Sequence, residues 1–194
     1  MDALSEKWLK GKVIYWFRRQ RKLVERNSIG KILNVGCGSH IIKGAVNIDE
    51  NATNLPFDNE SFDTVILAAV VEHIPGGGDR KAIEEAYRVA RKRIILTVPL
   101  HRCLWSEYDI LVGHYRRYSE RQFIKMCKEI VGDSKIKMKH YAGMILPLIL
   151  TQRKIFKRYK TTLLPDIIDN ILYYLSYVPL PFSSMLYVEI NKND

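Results

Sequence analysis

At 194 residues, 47% hydrophobic and 27% charged, the chain has the size and balance of one folded domain with its own core. Its net charge of +10 suits an anionic small molecule, a nucleic acid or an acidic membrane surface as partner, and serves plain solubility equally well. Cys37, Cys103 and Cys127 are odd in number and fall in no metal-binding spacing, which excludes a full disulfide framework, leaves no metal ligand to assign and points to a reducing, cytoplasmic setting.

The amino-terminal Met-Asp-Ala-Leu-Ser-Glu-Lys lacks the apolar centre of a signal peptide. Residues Ser5 to Arg26 pattern as a helix with a basic cluster at Arg18, Arg19, Arg21 and Lys22. The apolar run Ile32 to Val35 then stops at Gly36-Cys37-Gly38, a turn whose missing side chains let a ligand approach the backbone. A second run, Ala45 to Ile48, ends in Asp49, where a carboxylate beyond a strand's carboxyl end can accept two hydrogen bonds from a ribose diol. Ser39 to Ile48 is all that separates Gly38 from Asp49, too little for a full crossover helix, so the chain is expected to turn tightly around Ser39 to Lys43.

Apolar residues run on past Asp63 to Ala69, as in a central parallel strand buried on both faces. Gly76-Gly77-Gly78 makes a loop before Asp79, which is expected to cap a helix reaching about Lys92. Arg93 to Val98 reads as the next strand, ended by Pro99. Leu100 to Tyr118 holds more functional side chains than a connector needs, among them His101, Asp109, His114, Arg116 and Arg117. Ser119-Glu120-Arg121-Gln122 is a capping box that starts a helix stopped by Gly132. Lys135 to Tyr141 and Met185 to Ile190 are strands, the second patterned for an antiparallel edge, and Ala142 to Phe182 between them reads as helical, apolar on one side and basic on the other. No stretch is long and apolar enough to span a membrane, although the basic, apolar insertion suits peripheral contact with one.

The glycine turn narrows the ligand by what it lacks. A dinucleotide site wants G-x-G-x-x-G, and the last of those positions here is Ile41; no G-x-x-x-x-G-K-[ST] loop exists either. A nucleoside ligand without phosphate fits, and S-adenosylmethionine is one.

Asn34-Val35-Gly36-Cys37-Gly38, Asp49, Leu55-Pro56-Phe57 with Ser61-Phe62-Asp63, and Glu72-His73-Ile74 resemble, in this order, the class I S-adenosylmethionine-dependent methyltransferases of the type 11 branch. The resemblance implies a doubly wound, Rossmann-like, mostly parallel sheet of seven strands with its final hairpin reversed. It also implies a single domain: an amino-terminal cap over residues 1–28, a core with the acceptor loop over 29–141, a helical insertion over 142–183 that completes a lid, and a last strand over 184–194. Cofactor contacts are expected at Asn34, Gly36, Cys37, Gly38, Asp49, Asn54, Leu55, Ala68, Ala69 and His73, with Ala68-Ala69-Val70 beside the transferable methyl. Three departures stand out: Asn34 replaces the usual acidic residue, His40 a usual glycine, and Asn51 and Asn54 stand where a carboxylate usually approaches adenine.

Methyl transfer needs mainly alignment of the nucleophile with the methyl and exclusion of water, plus a base where the acceptor carries a proton. His73, His101 and His114 are candidate bases. His114 is favoured because Asp109 in the same segment can orient its ring, whereas His73 reads more simply as packing. The expected acceptor is a small or lipid-like molecule. RNA methylation and a noncatalytic cofactor-binding partner subunit are the alternatives; against RNA, the strand after Asp63 ends in Ala-Ala-Val-Val and not in the motif of enzymes that methylate base amines.

Overall fold

The computed structural model describes residues 14–105, 109–110, 112–142 and 183–192. In chain order they form α1 (Ile14–Asn27), β1 (Ile32–Val35), β2 (Val46–Ile48), β3 (Phe62–Ala68), α2 (Gly78–Val89), β4 (Ala90–Pro99), α3 (Glu120–Val131), β5 (Lys135–Tyr141) and β6 (Met185–Asn191). Short 3-10 turns occupy Val71–His73 and Arg102–Leu104. The strands make one sheet in the order β2-β1-β3-β4-β6-β5; β2, β1, β3 and β4 are parallel, and β6 runs antiparallel to both its neighbours.

Alternation along each strand sorts side chains onto two faces. Leu33 and Val35, Val65 and Leu67, Ile94 and Leu96, and Leu186, Val188 and Ile190 pack in one core with Ile83 and Ala86 of α2 and Phe123 and Cys127 of α3. Ile66, Ile95, Met185 and Tyr187 pack on the other face with Leu23 and Val24 of α1 and with Ile42. Full burial of each large side chain contributes about 1.5–3 kcal/mol. The opposite face of α1 leaves Arg18, Arg21 and Lys22 exposed.

Several expectations are corrected. The described residues make six of the seven strands that the resemblance implies, and Ile48 leads to Phe62 through turns. Met185–Asn191 is no edge but lies between β4 and β5, buried over Met185 to Ile190, while β5 takes the edge. Its alternating lysines, Lys135, Lys137 and Lys139, blunt that edge against pairing with other chains. Asp79 does not cap α2. Gly77, at φ 81°, is the N-cap, because the helix starts at Gly78, where a Cβ would come within 2.4 Å of Ile74. Asp79 instead sits in the first turn, where its charge favours the helix dipole, and the helix ends at Val89. Ser119 caps α3 as expected, accepting from the Gln122 amide at 3.3 Å. The expected lid lies outside the described residues, as does the start of the amino-terminal helix. Among the described residues no helix is long and apolar enough to cross a membrane.

Candidate functional site

The carboxyl ends of β1, β2 and β3 open on one edge of the sheet, and chain order reverses between β1 and β3, the place where open α/β sheets bind ligands. After β1, Gly36 takes φ 63°, and a Cβ there would meet Val70 at 2.8 Å, so only glycine allows this turn to lie against the end of β3. Gly38, at φ 45°, has nothing within 4 Å of the position of a Cβ and leaves open space beside the backbone. The Cys37 amide donates to Ile48 O at 3.1 Å, tying the turn to the end of β2, where Asp49 stands exposed. Across the gap, Ala69 follows β3 at φ 59°, a region that residues with side chains rarely adopt, and its amide donates a hydrogen bond to Thr97 O at 3.1 Å. An open glycine backbone with a solvent-facing carboxylate on the neighbouring strand fits a nucleoside.

Two of the expected contacts carry structural duties. Asn34 is buried, and its Nδ2 donates to His40 O at 2.8 Å and Asn47 Oδ1 at 2.9 Å. Asn47 also accepts from the Ile42 amide and donates to Ile42 O and Ala45 O, so two amides replace the helix missing from the first crossover. A carboxylate at residue 34 could not donate to these acceptors. Leu55 is buried in the core, with its amide on Glu85 and its carbonyl taken by Arg88. Asn51 spends its side-chain oxygen on the Thr53 amide and hydroxyl, while Asn54 is exposed.

On the other side of the gap, the Val71–His73 turn meets the segment after β4. The Tyr115 amide donates to Glu72 O, and Arg116 reaches both Ile74 O and the Asp79 carboxylate. Tyr118 hydroxyl donates to Asp79 as well. Arg117 is buried, donating to Asp109 Oδ1 at 2.8 Å and to Leu100 O. Arg116 and Arg117 therefore brace the segment. His101 is drawn towards Ser183 O.

Asp109 and His114 are brought together, with Oδ1 2.8 Å from Nδ1. His114 packs edge-on against His73, ring centroids 4.8 Å apart, and its Nε2 lies 4.0 Å from a Glu72 carboxylate oxygen. His73 Nδ1 faces Gly113 O at 3.2 Å. Burial and then neighbouring His114 lower the pKa of His73, favouring its neutral ring. Glu72 is the group the sequence reading passed over: it is fully buried, neither carboxyl oxygen has a hydrogen-bond partner among the described residues, and burial, with a smaller push from Asp109, raises its pKa to about 8. Its adjacency to His73 was visible; its approach to His114, beyond α2 and β4, was not.

Residues 38–97 match the methyltransferase domain family. A ubiquinone/menaquinone biosynthesis C-methyltransferase (UbiE) of Brucella canis is 32% identical over 114 residues, covering 54% of this chain and 39% of the relative. Over this stretch the chain is similar to the S-adenosylmethionine-dependent methyltransferases. The family match spans the glycine at Gly38, Asp49, Ala69 and His73 but stops short of Asp109 and His114. This chain spans about two-fifths of the length of that methyltransferase relative. Among solved methyltransferase folds, one from Thermotoga maritima superposes with a TM-score of 0.61 at 13% identity, covering 97% of this chain and 96% of that one. Phosphoethanolamine N-methyltransferase 2 of Haemonchus contortus, in complex with S-adenosyl-L-methionine, gives 0.54 at 14% identity, over 91% of this chain and 53% of that one.

Proposed function

We propose that the protein transfers a methyl group from S-adenosylmethionine to a small or lipid-like acceptor. The observation that carries this reading is the meeting, at the reversal point of the sheet, of the open glycine turn, the exposed Asp49 carboxylate and, across the gap, the paired His73 and His114 rings. When bound, the cofactor supplies a methyl on a sulfonium, a good leaving group. Gly36, Cys37 and Gly38 would hold its amino-acid end by backbone contact, Asp49 would accept from the ribose hydroxyls, and the free carboxamide of Asn54 would face adenine. Ala68 and Ala69, small and at the tip of β3, would leave room for the methyl. The acceptor would lie against His114, whose ring Asp109 holds in place. The exposed Trp105, Ile110 and Tyr115 of the same segment favour an acceptor with apolar surface.

Calorimetry with S-adenosylhomocysteine tests the cofactor half. Binding in the micromolar range is expected, and Asp49→Ala should weaken it by roughly 1.5–3 kcal/mol, the worth of a hydrogen bond to a charged acceptor. Tighter binding of NAD, or an unchanged affinity in the folded variant, would remove the assignment. The acceptor half is tested with labelled S-adenosylmethionine and fractionated cell extract, in which the label should enter the small-molecule or lipid pool and not RNA.

A further inference from the structure

We propose that Glu72, His73 and His114 form a binding site for one divalent transition-metal ion. One oxygen of Glu72 and one nitrogen from each ring lie within 4.8 Å of one another. Donors about 2.1 Å from an ion stand roughly 3.4 Å apart in a tetrahedron, so the set would draw in by roughly 1 Å to hold one.

The hydrogen bonds fix what each group offers. A carbonyl oxygen only accepts, so contact with Gly113 O makes His73 Nδ1 the protonated nitrogen and puts the lone pair of the neutral ring on Nε2. Asp109, paired with Arg117, likewise draws the His114 proton to Nδ1 and leaves the lone pair on Nε2, the atom that approaches Glu72. Metal-bound histidines are commonly oriented in this way, by a carboxylate or a carbonyl on the far nitrogen.

Glu72 supplies the second argument. Buried carboxylates are normally paired or hydrogen-bonded, or they coordinate a metal. Glu72 is fully buried with both oxygens unpartnered among the described residues, and the nearby Arg117 already serves Asp109. An ion would give it the missing partner. One carboxylate and two imidazoles suit zinc, cobalt, manganese or iron better than calcium, and three protein ligands leave coordination positions open, as in catalytic metal sites.

The site lies beside the tip of β3, so the open positions would take an oxygen-bearing acceptor, a hydroxyl or a pair of them, next to the methyl. That use of the ion rests on the methyl-transfer reading; the ion site itself does not. His114 would then act on the acceptor through the ion, which would acidify the bound hydroxyl so that its proton passes to solvent water while the oxygen attacks the methyl and the carbon–sulfur bond breaks, its electron pair staying on sulfur.

The test titrates the full chain, stripped with chelator, with Co2+ and follows both its visible absorption and the heat of binding, with S-adenosylhomocysteine affinity and melting temperature measured on the same samples. One Co2+ per chain is expected, displaced by Zn2+ and without a thiolate charge-transfer band. Glu72→Gln and His73→Ala should each weaken it at least tenfold, and Asp109→Asn, acting through His114, should weaken it 10–100-fold. No binding, a thiolate band, or affinities unchanged in folded variants would overturn the site and leave Glu72 a protonated buried acid. Cobalt binding without S-adenosylhomocysteine binding would instead sink the methyl-transfer reading and keep the site.

Discussion

At Asp63 four donors meet one carboxylate. The Lys31 amide lies at 2.9 Å, Arg91 makes two bonds at 3.0 and 2.7 Å, and Lys92 stands at 3.2 Å. The backbone bond first, then the Arg91 guanidinium, hold this carboxyl well below the ordinary carboxylate range. A carboxyl whose pKa is depressed by folding contributes stability that is present above its unfolded value, near 3.9, and lost as pH falls through the folded one. Melting temperature should therefore drop on acidification below about pH 4, and Asp63→Asn should be less stable at neutral pH while losing part of that acid dependence. Equal acid sensitivity in both proteins would show that other carboxylates dominate. The cysteines differ in the same residue-level way. Burial pushes the Cys127 thiol up to about 12 and Cys103 is exposed, so at neutral pH a thiol reagent should label Cys103 quickly and reach Cys127 only on unfolding. Rapid labelling of Cys127 in the folded protein would contradict its packing beside Phe123.

Among the elements, the link from β1 to β2 departs furthest from an ordinary crossover. Its shortness was legible from the spacing of Gly38 and Asp49; the means of holding it was not, because asparagine at residue 47 carries no periodic signal and its four bonds are all to neighbours in the turn or to Asn34. Asn47→Ala leaves the Asn34 amide and the Ile42 peptide short of partners, and about 1–3 kcal/mol should be lost for each buried group left unsatisfied. The expected signature in a denaturant melt with and without S-adenosylhomocysteine is a lower midpoint together with weaker cofactor binding, since the same turn carries Cys37 and Asp49. A fall in stability with unchanged cofactor affinity would mean that the turn holds its shape without this amide. Other elements were readable for direct reasons. The unbroken apolar runs through Val65 to Leu67 and Ile94 to Leu96 located two central strands buried on both faces, and Ser119 announced α3. Asp79 misled because a strong capping residue followed three glycines, and contact with Ile74 decided where the helix begins.

For the molecule as a whole, the net charge of +10 was plain in the composition, but its partner was not, because charge alone names no ligand. If phosphate backbones were the target, affinity for RNA would fall steeply with salt through counterion release. The expected result is weak RNA binding abolished at physiological ionic strength, with anionic vesicles competing no better; salt-resistant, sequence-selective binding in a filter assay would reverse that expectation. The sheet order was hidden for a related reason: strand patterns reveal burial, not neighbours, and an edge cannot be told from an interior strand when both alternate. That order also fixes a timetable. Because β6 fills the gap between β4 and β5, pairing Arg93 with Asn191 on one side and Lys135 with Asn191 on the other, β5 can find no seat on the sheet until a strand made later has been synthesised. As the chain leaves a ribosome, β1 to β4 can assemble early, while β5 must wait, and a chain ended before Met185 would expose the flank of β4 to any passing strand.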